Sequence, residues 1–382
     1  MKIFNQKDSS FLRFFLFESV VFSFFLVINL LLILFLIQHP SSKPLSLPKT
    51  FYAQESPSNL EFFGYFHVLC DDIPKLASLN NSNVIKITRG SSSWQDCLQL
   101  TKNHNLKAIL DVKTIFFQTI TDGHYGDGST VLRSDWETRW QNFKNQIAGF
   151  EEQIYAFYMD EPYWKGIKED DFRLVTNKIR QDYPQIGVFI IEAYPSFMDY
   201  WCRLPGPKVN RSYYEYVTDF AFSFYGINYI CNQKDKAFID WNKEIYQVAF
   251  QTFLSLTWPN QKLWIIPHAF WPVGYSPDFS LLNSQFKDYF NFAKTNPKIK
   301  GMLNFLYSPT ENHLSTRQFF DPQNYLYNET YRKTHIEIGQ HIVLGIPLLE
   351  PSYLTLEFTN GTVEREVQTY YQNSWYFGGN QY

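Results

Sequence analysis

The chain has 382 residues, 45% hydrophobic and 19% charged, a balance far too apolar for a disordered protein. With 34 basic and 37 acidic residues the net charge is −3, which leaves no sequence-wide electrostatic footprint for nucleic acid. Length admits two or three domains or one large α/β barrel, and the unusual figure is 19% aromatic, from 37 Phe, 26 Tyr and 10 Trp.

The first element is the run Val20–Ile37 (VVFSFFLVINLLLILFLI), 18 residues broken only by Ser23 and Asn29. As a helix it is long enough to cross the hydrocarbon of a bilayer. Lys2, Lys7 and Arg13 precede it and orient the amino end toward the cytoplasm. Residues 1–38 are therefore expected to be a cytoplasmic tip and an uncleaved signal-anchor, with the membrane as a partner. The rival, a cleaved signal peptide releasing a secreted protein, normally has an apolar region of only ~7–15 residues. Residues 39–59, rich in Pro and Ser, read as a linker. The chain from residue 60 onward then lies outside the cytoplasm. All four cysteines are there, and the local pairings Cys70–Cys97 and Cys202–Cys231 are the expected disulfides, against the alternative of four buried thiols.

From residue 60 short apolar runs alternate with helix-period stretches. The runs are Phe62–Val68, Val84–Thr88, Ala108–Val112, Ile154–Met159, Ile186–Ala193, Phe220–Ile227, Leu263–Phe270 and Ile299–Tyr307. Most do not alternate with polar residues, as expected of parallel strands covered on both faces. Helices are expected at Trp94–His104, Trp136–Phe150, Glu169–Asp182, Phe238–Ser255, Asn283–Thr295 and Tyr325–Val343. Eight strands alternating with helices over residues 60–345 are the count of a (β/α)8 TIM barrel, an α/β fold. No Gly-x-Gly-x-x-Gly follows the first strand, so a dinucleotide fold has no support. In residues 346–382, Tyr353–Phe358 and Val363–Tyr370 flank Asn360-Gly361, the signal of a small β-hairpin appendage.

Barrel active sites sit at the carboxyl ends of the strands. Those ends carry His67, Arg89, Asp111 with Lys113, Asp160-Glu161-Pro162-Tyr163-Trp164, Glu192 with Tyr194, Tyr225, His268 with Trp271, and Tyr307. The two-residue period puts Tyr155, Phe157, Met159 and Glu161 on one face, so a carboxyl group ends an apolar row and Asp160 points toward the helices. Such a carboxyl, with Asp160 beside it, resists ionisation and suits a general acid.

The segment DWETRWQNF…IYAFYMDEPYW, ending at Trp164, resembles the fourth βα unit of (β/α)8 glycoside hydrolases. In many of these that strand ends in Asn-Glu-Pro or Asp-Glu-Pro, with the Glu as acid/base. The resemblance extends loosely over residues 60–345 and implies Glu161 as acid/base, Asp160 where Asn is commoner, and Arg89 as a basic residue at the end of strand two. The chain departs from the pattern at strand seven, where retaining members carry the nucleophilic Glu and this sequence has His268. Glu192 on the adjacent strand is one candidate partner, since retaining pairs lie ~5–5.5 Å apart. Alternatively a loop acid, Asp127, Asp278 or Glu311, would activate a water across ~6.5–9.5 Å for inversion.

Catalytic candidates are thus Glu161, Asp160 and Glu192. Arg89, Tyr163, Trp164, Tyr194, Tyr225, His268, Trp271 and Tyr307 are the expected substrate-binding residues, the aromatics offering flat faces to a sugar. The expected partner is an oligosaccharide or polysaccharide, not nucleic acid. Neither a metal nor a cofactor is expected: no His-x-His ends strand one, and no phosphate-binding Gly-rich loop or Gly-x-Ser-x-Gly elbow occurs. A barrel that kept sugar binding and lost catalysis is the alternative, and His268 favours it.

Overall fold

The computed structural model describes residues 59–193, 196, 200–201, 204–205, 209–223 and 243–348, with short strands at 369–370, 374–377 and 380–381. Eight parallel strands close a barrel: β1 (Phe62–Leu69), β2 (Val84–Thr88), β3 (Lys107–Asp111), β4 (Ile154–Asp160), β5 (Gly187–Ala193), β6 (Asp219–Ser223), β7 (Lys262–Ile265) and β8 (Ile299–Asn304). Each strand pairs with its sequence neighbour, and β8 returns to β1 through Phe62 opposite Gly301. The connections carry α1 (Ile73–Ala77), α2 (Trp94–Asn103), α3 (Trp136–Ile147), α4 (Glu169–Asp182), α5 (Lys243–Ser255) and α6 (Phe279–Lys294), and α7 (Glu329–Leu344) follows β8. Between β5 and β6 the described residues hold a 3-10 turn, Arg211–Tyr214, where a helix is usual.

The strands bury two separate apolar sets, which is why their sequences lack alternation. Phe66, Val84, Ile109, Tyr158, Phe189, Ala221, Trp264 and Leu303, drawn from all eight strands, fill the lumen. Gly301 makes room there, since a Cβ would lie 2.3 Å from the Trp264 ring. The second set joins the outward strand residues to the helices; Phe157 packs on Trp140 and Phe143 of α3 with ring centroids 5.4 and 5.9 Å apart. Strand four is thus oriented opposite to the expected face. Phe157 and Met159 meet the helices, while Ala156 and Tyr158 face the lumen.

Strand seven ends at Ile265 rather than Phe270. Pro267, with no N–H to give, interrupts the ladder. Phe270–Pro272 then pairs antiparallel with His313–Ser315 as a two-stranded rim sheet. The run predicted for strand six beyond Ser223 lies outside the described residues, as do residues 1–58, Cys202, Cys231 and the hairpin residues 353–368. At the carboxyl end Ser374–Phe377 pairs antiparallel with Thr369–Tyr370 and with Asn380–Gln381. Among the described residues no helix is long and apolar enough to cross a membrane.

Cys70 and Cys97 form the expected disulfide, tying the turn after β1 to α2 across a sequence separation of 27. Closing a loop of that length removes unfolded-state entropy equivalent to about 3 kcal/mol. Cys70→Ser is therefore expected to lower the unfolding free energy by about 3 kcal/mol, read as a drop in the urea midpoint. Adding a reductant should then lower the midpoint of the wild type by more than that of the variant.

Candidate active site

The carboxyl ends of all eight strands share one rim, and β4 contributes its two acids there. Asp160 continues the lumen row of Ala156 and Tyr158, and its carboxylate accepts from the Tyr158 hydroxyl and the Lys165 ammonium. Glu161 would then face outward, but its backbone is left-handed, at φ 46°. That conformation is disfavoured for a residue with a Cβ and turns the chain at the rim. The Glu161 amide still donates to Ile191 O of β5 at 2.8 Å. Its side chain reaches across the mouth, where Oε1 accepts from Ser223 Oγ of β6 at 3.3 Å. Lys165 N donates to Glu161 O at 2.8 Å, and this single turn brings Lys165 Nζ within 3.3 Å of Glu161 Oε2.

The two neighbouring carboxyls are pushed in opposite directions. Burial, then the charge of Asp160, raise Glu161 above the usual glutamate range, only partly offset by Lys165 and Ser223. Burial would also raise Asp160, but the Lys165 charge, its hydrogen bond and that of Tyr158 hold it below the usual aspartate range. Burial would lower Lys165, yet the two carboxylates hold it above the ordinary lysine range. Lys113, just past β3, is lowered by burial and by Lys165.

Glu192, at the end of β5, is fully buried. Its Oε1 accepts from Trp164 N at 3.0 Å, Ala193 N at 3.1 Å and Ser196 Oγ at 3.0 Å. Its Oε2 accepts from Tyr163 N at 3.1 Å and the Tyr214 hydroxyl at 3.2 Å. Burial pushes this carboxyl up to about 7 against the pull of those backbone donors. Glu192 fastens the loop that carries Glu161 instead of facing the mouth.

The aromatic set divides. Tyr163 and Tyr307 are buried, Tyr163 against Tyr213 and Tyr307 against Tyr65, and belong to the shell. Tyr194 and Tyr225 lie outside the described residues. Trp164 remains half-buried at the rim, stacked on His124 at 4.3 Å with Tyr125 edge-on at 5.3 Å. Gly166 lets the loop bearing this stack close on its neighbour, because a Cβ there would meet Ser129 Oγ at 1.9 Å. Trp271 sits half-buried on the two-stranded rim sheet.

His268 is buried just past β7, and burial holds it down to about 3. His67 sits at the end of β1 with Nδ1 3.0 Å from Thr88 Oγ1, lowered to about 4 by burial and by Lys86. Arg89 is exposed beyond β2, its guanidinium 5.9 Å from the Trp94 ring centroid. Asp127 accepts from the amides of Ser129 and His124 in its own loop, and Asp278 caps α6 through Leu281 N at 3.0 Å. Among the described residues no group of three or more His, Cys, Asp or Glu is placed to hold a metal.

Two cations at the mouth were not among the candidates read from the sequence. Lys165 carries no signal there, because the turn that presents it depends on Glu161. Lys86 does carry one: it is the lone charge in the apolar strand VIKIT. It points into the lumen, 3.4 Å from Asp111 and over the rings of Phe66 and Tyr158 at 4.7 and 5.5 Å.

No protein-family model matches the chain, and no curated protein sequence does. Solved structures do. A family 5 glycoside hydrolase of Streptomyces cattleya, solved with GlcNAc, is similar at 10% identity, over 77% of this chain and 83% of that one, with a TM-score of 0.49. Xylanase 10B of Thermotoga maritima is similar at 8% identity, over 74% and 96%, with a TM-score of 0.47. A β-D-glucuronidase of Dictyoglomus thermophilum is similar at 12% identity, over 68% and 46%, with a TM-score of 0.45. The barrel itself is established by the closed strand order of this chain, and these hydrolases are what it is similar to.

Proposed function

We propose that the chain is a glycosidase-like hydrolase of an oligosaccharide or polysaccharide, with Glu161 as the general acid. The observation that supports this best is the pair of adjacent carboxyls displaced in opposite directions, Glu161 upward and Asp160 downward. Groups separated in this way divide acid and base roles at one pH. Glu161 holds a proton to give to the glycosidic oxygen as the bond to the leaving group breaks. Asp160 remains ionised and offers negative charge to the positive sugar that forms, which a water captures at the anomeric carbon while giving a proton back to Glu161. Glu192, without exposed surface, is a positioning residue, and Lys165 holds the two acids in register. Trp164 and Trp271 are the sugar-facing aromatics of the rim, and His268 supports the rim from below the surface.

The pH dependence tests this directly. Activity needs Asp160 ionised and Glu161 protonated, so kcat/KM on a glycan panel should be bell-shaped. The acid limb falls as Asp160 protonates, below the ordinary aspartate range. The alkaline limb falls as Glu161 ionises, above the ordinary glutamate range. An activity without an alkaline limb would remove Glu161 from the acid role.

The contact of Lys165 with both carboxyls favours a second reading, a sugar-binding barrel without turnover, because an ammonium at 3.3 Å favours the ionised form of Glu161. Binding of glycans without hydrolysis by the wild type would select it. The location belongs to the same proposal: residues 20–37 anchor the chain and the barrel faces an oxidising compartment, a reading that the Cys70–Cys97 disulfide supports. Protease accessibility of the barrel in intact cells tests it.

A further inference from the structure

A groove of about 520 Å³ opens on the rim above β2 and β3. Lys86 and Asp111 form its inner end, and Lys86 lies 5.5 Å over the ring of Tyr158, whose hydroxyl donates to Asp160. The inner end of the groove thus adjoins the residues that hold the Asp160 carboxylate. Its outer end is walled by Arg89 and Trp94 on one side and by Arg139 and Asn142 of α3 on the other.

The charges in this lining are unequal. Lys86, Arg89 and Arg139 are cationic, and Asp111 is the one acid among the lining residues. Asp111 is shared with Lys86 at 3.4 Å, and Arg139 Nε meets Asp135 at 2.8 Å. Arg89 has no carboxylate partner among the described residues; its guanidinium lies over Trp94, with its hydrogen-bonding edge left for another acceptor. A guanidinium in this setting matches a carboxylate or a sulfate through two parallel hydrogen bonds. The half-buried Trp94 ring beside it suits the apolar face of a sugar. Thr88, Thr114 and Asn142 supply hydroxyl and amide groups for the remaining ring oxygens. The volume falls within the range of small-molecule sites.

We infer that this groove binds an acidic sugar unit, bearing a carboxylate or a sulfate ester, on the same glycan whose neighbouring linkage Glu161 meets. The inference rests on the proposed hydrolase reading for the placement of the scissile bond, and on the groove alone for the charge of the sugar. The polymer is then an anionic polysaccharide, held by Arg89 and Trp94 at one unit and presented to Glu161 at another.

Calorimetric titration of the full-length Glu161→Gln protein separates binding from turnover. Three probes of equal length suffice: oligogalacturonate, a sulfated galactan oligosaccharide and a neutral galactan oligosaccharide. One acidic probe is expected to bind at least about tenfold more tightly than the neutral one, and the better of the two identifies the anionic group. Arg89→Gln in the same background should erase that preference and leave the neutral probe unchanged, Arg89→Lys should restore part of it, and Trp94→Ala should weaken all three. Arg89 is exposed, so matched thermal unfolding of the two Arg89 variants is expected. Equal affinity for acidic and neutral probes, an acidic preference that survives Arg89→Gln, or no binding of any probe at millimolar concentration would overturn the inference. Retained turnover in Glu161→Gln would instead overturn the acid assignment, and the two failures are read in separate experiments.

Discussion

Replacing Glu161 by Gln is expected to lower kcat/KM on a hydrolysed glycan by about 10²–10⁴-fold, the range lost when a positioned general acid is removed. The amide has nearly the same shape and can still accept from Ser223 Oγ, so the rim should keep its form. It carries no proton that it can surrender to a leaving oxygen. The loss should therefore fall on kcat, with KM little changed, because the interaction removed is one made in the transition state. The backbone at Glu161 is left-handed, and Gln bears the same Cβ cost there, so stability should stay close to wild type. The alkaline limb of the pH profile should vanish with the carboxyl. An activity of wild-type size in Glu161→Gln would move the chemistry elsewhere on the rim.

Glu192→Ala is expected to have the largest effect on stability, about 3–5 kcal/mol, as when one member of a buried polar network is deleted. Five donors converge on this carboxylate, three of them backbone amides that cannot turn away. Removing it leaves them buried without an acceptor, at about 1–3 kcal/mol for each that water does not reach. Glu192→Gln is expected to cost less, but whichever way the amide is set, its NH2 opposes at least one backbone N–H. Two of the stranded donors, Tyr163 N and Trp164 N, belong to the loop that begins at Glu161, so turnover should fall together with stability. Urea unfolding and kcat measured on the same samples check this. A variant that lost activity at unchanged stability would return Glu192 to the reacting groups.

The barrel is legible in the sequence because its cause is local. Eight runs bounded by polar residues, most of them apolar on both faces, leave a parallel barrel as the economical way to cover them. Val84–Thr88 and Glu169–Asp182 agree to the residue with their expected bounds. The orientation of strand four is not legible, for the same reason. The period of two says which residues share a face, but with Phe157 and Met159 on one side and Tyr158 on the other, both faces are greasy enough for either layer. Strand seven reads too long in the sequence because its aromatic run conceals the interruption at Pro267.

The site shows the same division. The Asp-Glu-Pro end of strand four stands out in the sequence, and both its acids do reach the mouth. The route is not the expected one: Asp160 arrives by strand alternation and Glu161 by a left-handed turn that no residue-type preference signals. Glu192 looks like a second reactive acid because it ends the neighbouring strand. Its acceptor role depends on donors at 163, 164, 193, 196 and 214, which only folding assembles. Tyr163 and Tyr307, read as sugar platforms, are buried against Tyr213 and Tyr65, since an aromatic near a strand end can turn toward either the rim or the shell.

The sequence by itself pointed to the barrel, to the pairing of Cys70 with Cys97, and to the strand end at which two acids meet, and the structure has all three. All three follow from periodicity, spacing and residue type along a short stretch of chain. Only the tertiary structure decided which acid is tied down by five donors, and which cations, Lys86 and Lys165, stand beside the Asp160–Glu161 pair. Those properties are set by burial and by partners from distant segments, and electrostatic balance at a rim exists only once the strands that form it are closed.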